Sequence, residues 1–435
     1  MKWLKKQFVY ALSCAIVLSG CVTNNSGPNA GNVGAIVGPQ LSSLFDLKRD
    51  AIIDEDKHKL DVIIPVFDPG LLDDDGKELA TSSQGDPFAP DEPKGSPSEQ
   101  IWPELRRAEA NRFAYQLKKA MDATGAFGAV RVTPDQTATG DLYVLGEILE
   151  SNGEDVEIAI DVLDISGKSW FTRTFDHEVD PAFHKTIRND GLDPYTPVFE
   201  KAANRIALEL EEYTTEQLEQ LAQLAELRFG ASMSEDAFTE HLKFEDGTVS
   251  LASRPSDDDP MLNRTRAVRV RDQLFVDSLQ EEYRTFNDRM APSYMIWQEQ
   301  SLAEIEARRA AQQKAAGQAA LGVLAFGLAV LAAAAGARSN SSGGQGAGAV
   351  GAIAAGAIGA SLIGESFQTS KEAEVHRDSL NELGESINVD LGPRVVEFEQ
   401  QTLNLTGDAK EQFAKWRAFL QKIYLQEKTP EKKLF

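Results

Sequence analysis

Residues 315–364 constrain this chain more than any other stretch. Two apolar, small-residue segments, Ala319–Ala337 (AALGVLAFGLAVLAAAAGA) and Gly346–Gly364 (GAGAVGAIAAGAIGASLIG), flank the polar loop Arg338-Ser-Asn-Ser-Ser-Gly-Gly-Gln345. The first segment has no polar side chain, and the second has Ser361 alone. Each is 19 residues long. As a helix each would span roughly 28 Å, close to the hydrocarbon thickness of a bilayer. The expected structure is a membrane-type helical hairpin. Small residues recur at every fourth position, Gly344, Gly348, Ala352, Gly356, Ala360 and Gly364, and this spacing lets helix axes approach closely. Gly348, Ala352, Gly356, Ala360 and Gly364 are therefore the candidate helix-packing residues. The competing reading is a dry Gly/Ala-rich helix pair packed inside the protein.

The start of the chain reads as an export signal. Lys2, Lys5 and Lys6 precede the largely apolar run Phe8–Leu18, which is too short to span a bilayer. The run ends in Leu18-Ser19-Gly20-Cys21, which resembles the lipobox of bacterial lipoproteins. That resemblance implies cleavage before Cys21 and lipid attachment at its thiol. Val22 stands where an aspartate would signal retention, so similarity to lipoprotein sorting implies the outer membrane, with the body facing the periplasm. The small-residue spacing of 344–364 is likewise similar to the glycine zippers of envelope lipoproteins.

Composition fits that compartment. On that resemblance Cys14 would leave with the signal and Cys21 would carry lipid, leaving no cysteine for a disulfide, a thiolate nucleophile or a zinc site. The formal charge of −24 becomes −27 once the three signal lysines are removed. Bulk charge of that sign excludes a nucleic-acid binder, because phosphate needs the opposite sign.

Hydrophobic periodicity sets out the rest. Residues 21–59 begin as an Asn/Gly/Pro-rich tether. An α+β unit is expected over 60–226. It starts with a strand at Leu60–Phe67, in which Pro65 predicts an edge position or a bulge. After a polar insertion at 68–100, a helix is expected over Ile101–Ala123, with Leu105, Ala108, Phe113, Leu117, Ala120 and Met121 as its apolar stripe. A short strand follows at Ala129–Val132. Three alternating runs, Asp141–Leu149, Asp155–Asp164 and Ser169–Phe175, predict a meander with glycine turns at 151–153 and 165–168. A long helix is expected from Pro197 to about Ala225. Residues 227–261 read as an irregular linker, and 262–314 as a polar helix broken near Pro292. In 365–435, helices are expected at Ser366–Leu383, Pro393–Leu405 and Asp408–Tyr424, the last with Phe413, Trp416, Phe419, Leu420 and Ile423 as a packing stripe.

The IIPVF strand, the ANRFAYQLKKAM helix, the AFGAVRV strand and Asp141-Leu-Tyr-Val-Leu-Gly146 resemble one family of periplasmic domains. That family includes the TolB amino terminus, the curli secretion lipoprotein CsgG and the synthase activator LpoB. The resemblance covers about Leu60 to Tyr213 and implies a protein-interaction or assembly role without catalysis.

No stretch carries a catalytic signature. G-x-S-x-G, H-E-x-x-H and a P-loop are all absent from the sequence. His177 and His184 lie near Asp176, Glu178 and Asp180, but the spacing matches no metal motif. No catalytic residue, metal or cofactor is therefore assigned. One basic cluster stands out in an acidic chain: Arg264, Arg266, Arg269 and Arg271. It suits contact with anionic lipid headgroups, or pairing with nearby acids such as Asp257-Asp-Asp259. The expectation is a lipid-anchored envelope protein with a structural, assembly or docking role. It would be held to membrane lipid through Cys21 and the hairpin, form a homo-oligomer, and engage a further envelope protein. The rival expectations are a subunit of an export pore and a periplasmic ligand-binding protein.

Overall fold

The computed structural model describes residues 57–71, 102–234, 237–336, 371–398 and 401–426, with 308, 311–336, 371–374, 397–398, 401 and 426 as backbone alone. These belong to one compact unit, Gly38–Phe435. The fold is mixed α+β around a five-stranded sheet. Its strands are β1 (Val62–Pro65), β2 (Val130–Thr133), β3 (Leu142–Ser151), β4 (Asp155–Asp164) and β5 (Ser169–Glu178), in the spatial order β2-β1-β3-β4-β5. β1 runs parallel to both neighbours, while β3, β4 and β5 form the antiparallel meander read from the alternation. Val156, Ile158, Ile160 and Val162 of β4 are buried on one face.

Helix α1 (Pro103–Thr124) is the crossover between β1 and β2, and ends on Gly125 in the left-handed conformation. Its expected stripe is buried, with Phe113 packed edge-on against Tyr195 and Phe199. β1 sits inside the sheet, which corrects the edge alternative drawn from Pro65, while the bulge alternative fits: from Ile63 to Asp68 the chain takes one residue more than β3 does from Tyr143 to Glu147. The hydrogen bonds give the reason. Val62 and Val66 donate toward β2, so Pro65, of opposite parity, faces β3. There the β1–β3 pairing stops at Ile63 and resumes only at Asp68, whose N–H donates to Gly146 O at 2.8 Å. No ladder donor is missed.

The expected helix over Pro197–Ala225 is two helices, α2 (Thr196–Glu209) and α3 (Thr215–Met233), separated by a 3-10 turn. Thr214 starts α3 with a reciprocal capping box: its side chain accepts from Gln217 N–H, and the Gln217 side chain accepts from Thr214 N–H. The stretch read as a linker carries the end of α3 and the hairpin β6 (Leu242–Glu245) and β7 (Thr248–Leu251).

Helix α4 (Pro260–Gly336) is continuous over 77 residues, about 115 Å at the usual helical rise. Pro292 lies inside it and does not break it, contrary to expectation. Met290 and Tyr294, on either side of the proline, are fully buried, and tertiary packing holds the helix through the missing donor. After α5 (Lys371–Leu383), the segment expected as a helix at Pro393–Leu405 is instead a hairpin of β8 (Arg394–Phe398) and β9 (Gln401–Leu405). α6 (Ala409–Gln426) then lays its expected stripe on α4, with Trp416 stacked on Phe275 at 5.0 Å. One apolar core runs from Leu60 to Tyr424 through both the sheet and the helices.

Among the described residues no helix is long and apolar enough to cross a membrane. The α4 backbone is helical through Gly336, while the loop and second arm of the expected hairpin, 337–364, lie outside the described residues. So do Cys21, the insertion at 72–100, and Gly348, Ala352, Gly356, Ala360 and Gly364.

Candidate functional site

The first turns of α4 distribute the arginine cluster between two places. Arg264 lies over the Tyr424 ring of α6 at 5.9 Å. Arg266 and Arg269 line a cleft of about 310 Å³ on the other side, and Arg271 does not line it. The remaining walls are His58, Lys59 and Asp61 before β1, Asp141 before β3, Ala222 and Glu226 of α3, and Val270 and Gln273 of α4. Two sequence features noted separately, the arginine cluster and the Asp141-Leu-Tyr-Val-Leu-Gly146 run, thus meet in one site.

The carboxylates of this cleft are held by the protein itself. Asp61 Oδ1 accepts from Ala129 N–H at 3.0 Å, and its Oδ2 accepts from Arg131 and from Gln273 Nε2, each at 3.2 Å. Asp61 N–H donates to Asp141 Oδ2 at 2.8 Å. Asp141 is buried, and desolvation pushes its carboxyl above the ordinary value while Arg269 pulls it back. Arg266 grips both Glu226 oxygens, at 2.7 and 3.3 Å, in a bidentate fork, with Asp257 a further partner at 3.6 Å. Arg269 reaches Asp141 Oδ1 at 3.4 Å. The lining is rich in charged groups, with Lys59, Arg266 and Arg269 facing Asp61, Asp141 and Glu226.

A second polar cluster lies inside the core. Glu109 of α1 is fully buried and accepts from Ser151 Oγ at 2.6 Å and Tyr294 OH at 2.7 Å, with Arg106 beside it at 3.8 Å. Burial raises its carboxyl despite that arginine. Tyr195 OH accepts from Gly153 N–H at 2.7 Å, and Arg112 joins Asp193 at 2.6 Å and Asn287 Oδ1 at 2.8 Å. The cluster ties α1 to β3, to the turn that leads into α2, and to α4, and it positions elements instead of facing a ligand. Sequence reading missed it because α1's second face looks like an ordinary solvated one. Its sole local sign is the Glu109–Arg112 spacing, which is common on exposed helices.

The histidines stay dispersed. His58 is at the cleft, His241 meets Ser253 Oγ at 2.7 Å, and His376 meets Ser293 Oγ at 3.1 Å. His177 and His184 are half-buried, and desolvation lowers both imidazoles. Among the described residues no three His, Cys, Asp or Glu side chains converge as metal ligands. No family model matches the chain, and no curated protein or solved structure is significantly similar to it.

Proposed function

We propose that this chain is a lipid-anchored cell-envelope protein with an assembly or partner-docking role at the outer membrane, and that it self-associates through the small-residue hairpin. The observation that carries the reading is the continuity of α4. Between Arg266 and Arg309 that helix is bonded to α3, β2, α1 and the β3–β4 turn. It then runs on without interruption into the apolar arm that begins at Ala319. A body welded to such an arm carries any displacement or assembly of the hairpin directly to the sheet. The Leu18–Cys21 signature supplies the anchor, so the hairpin is not needed for attachment, and its glycine spacing serves helix–helix packing. The resemblance to the TolB, CsgG and LpoB type of domain supports a docking role for the sheet body.

Native mass measurement of the full chain in mild detergent tests this. Replacing Gly348, Gly356 and Gly364 together by leucine should reduce the oligomer to smaller species. An unchanged assembly mass would remove the zipper from the reading.

A further inference from the structure

We propose that the Arg269 cleft binds one singly charged oxyanion, a phosphodiester or a carboxylate, with Arg269 as its principal contact. The three carboxylates of the cleft, Asp61, Asp141 and Glu226, all have partners within the protein. The donors do not balance in the same way. Arg269 carries five N–H groups, and among the described residues its hydrogen bond is the single long one to Asp141 at 3.4 Å. Its Nε is buried and, among the described residues, has no acceptor. That Nε has no surface for a ligand to meet, so an incoming acceptor would be taken by the guanidinium's remaining Nη–H groups. Lys59 uses one of its three N–H groups, on Gly125 O at 2.9 Å, and His58 is exposed beside it.

Charge narrows the class. Lys59, Arg266 and Arg269 balance Asp61, Asp141 and Glu226 when His58 is neutral. A locally neutral cleft in a chain of formal charge −24 disfavours a dianion, whereas surplus donors suit a single negative charge. Ala222 and the exposed Val270 give one apolar wall, so the anion would carry a short hydrocarbon part. A volume of about 310 Å³ is at the small end of ligand sites and fits a headgroup-sized molecule.

The test is thermal-shift and calorimetric titration of the full chain in detergent with dimethyl phosphate, with acetate, and with sulfate as the dianion control, at constant ionic strength. Dimethyl phosphate or acetate should bind saturably, and more tightly than sulfate. Tighter binding of the diester assigns a lipid-headgroup source; tighter binding of acetate assigns a carboxylate ligand. Arg269→Gln should weaken that binding about tenfold, roughly the share of one charge-assisted hydrogen bond. His58→Gln, at an exposed position that leaves the core intact, should weaken it about two- to threefold. Absence of saturable binding to both monoanions, preference for sulfate, or unchanged affinity in a folded Arg269→Gln protein would overturn the proposal. If Arg269→Gln does not fold, unchanged affinity in His58→Gln overturns it. None of these outcomes alters the assembly reading, whose readout is oligomer mass.

Discussion

Gln280→Leu should destabilise the body by about 2–4 kcal/mol, because it opens the β2 edge of the sheet. A sheet edge presents unpaired backbone groups, and here a side chain closes it. Gln280 Oε1 accepts from Val132 N–H at 2.9 Å, and Gln280 Nε2 donates to Val132 O at 2.8 Å. One carboxamide thus does the work of a neighbouring strand. Val132 is fully buried, so leucine leaves a donor and an acceptor without partners, each costing about 1–3 kcal/mol. The Arg131–Asp277 pair at 2.5 Å stands beside it and keeps the helix near the edge, which caps the loss below the sum of the two. Urea unfolding with unchanged slope should show the midpoint fall; a variant within about 0.5 kcal/mol of the parent would mean that α4 does not close the edge.

Gly384→Ala should have an effect of similar or larger size at the other end of the molecule. Just past α5, a Cβ on residue 384 would sit 1.8 Å from Glu104 O and 2.4 Å from its carbonyl carbon. Both are backbone atoms of the first turn of α1, so no side-chain rotation relieves the clash, and one element must move. Moving it breaks the clasp between α1 and the carboxy-terminal part. That clasp consists of Arg107 Nε to Gly384 O at 2.7 Å, Asn111 Nδ2 to Ile387 O at 2.7 Å, and Trp102 Nε1 to Asn381 Oδ1 at 2.8 Å. Three such bonds at about 1 kcal/mol each give roughly 3 kcal/mol before any loss of packing. Amide exchange should rise across α5, β8, β9 and α6. Exchange equal to the parent's would show that the close approach is not required.

The parts of the fold that were legible in the sequence are those fixed by local pattern. The period-two run of β4 reads off residue by residue, and the α1 and α6 stripes follow from helical spacing. Gly146, read within a strand, is explained by the Phe67 ring, which lies where a Cβ would project. What escaped depends on partners distant in sequence. Pro292 argues for a break on local grounds, and packing at Met290 and Tyr294 overrides it. Glu397, Gln400 and Gln401 favour a helix over 393–405, yet Val396 pairs with Leu403 in a hairpin whose other face leaves Val395 exposed. The cleft was half visible: the arginines were evident, but not that α4 would carry two of them to Asp141 and His58. The buried Glu109 network left only the common Glu109–Arg112 spacing to read, since its Ser151 and Tyr294 partners lie 42 and 185 residues away.

We propose that helix α4 continues from the sheet body into an arm that engages the membrane independently of Cys21. Exporting residues 22–435 behind an ordinary cleavable signal peptide, so that no lipid is attached, tests it most directly. This protein should stay with the membrane fraction through a carbonate wash, and deleting 315–364 should release it. Complete recovery of the unlipidated, hairpin-containing protein in the soluble fraction would contradict it.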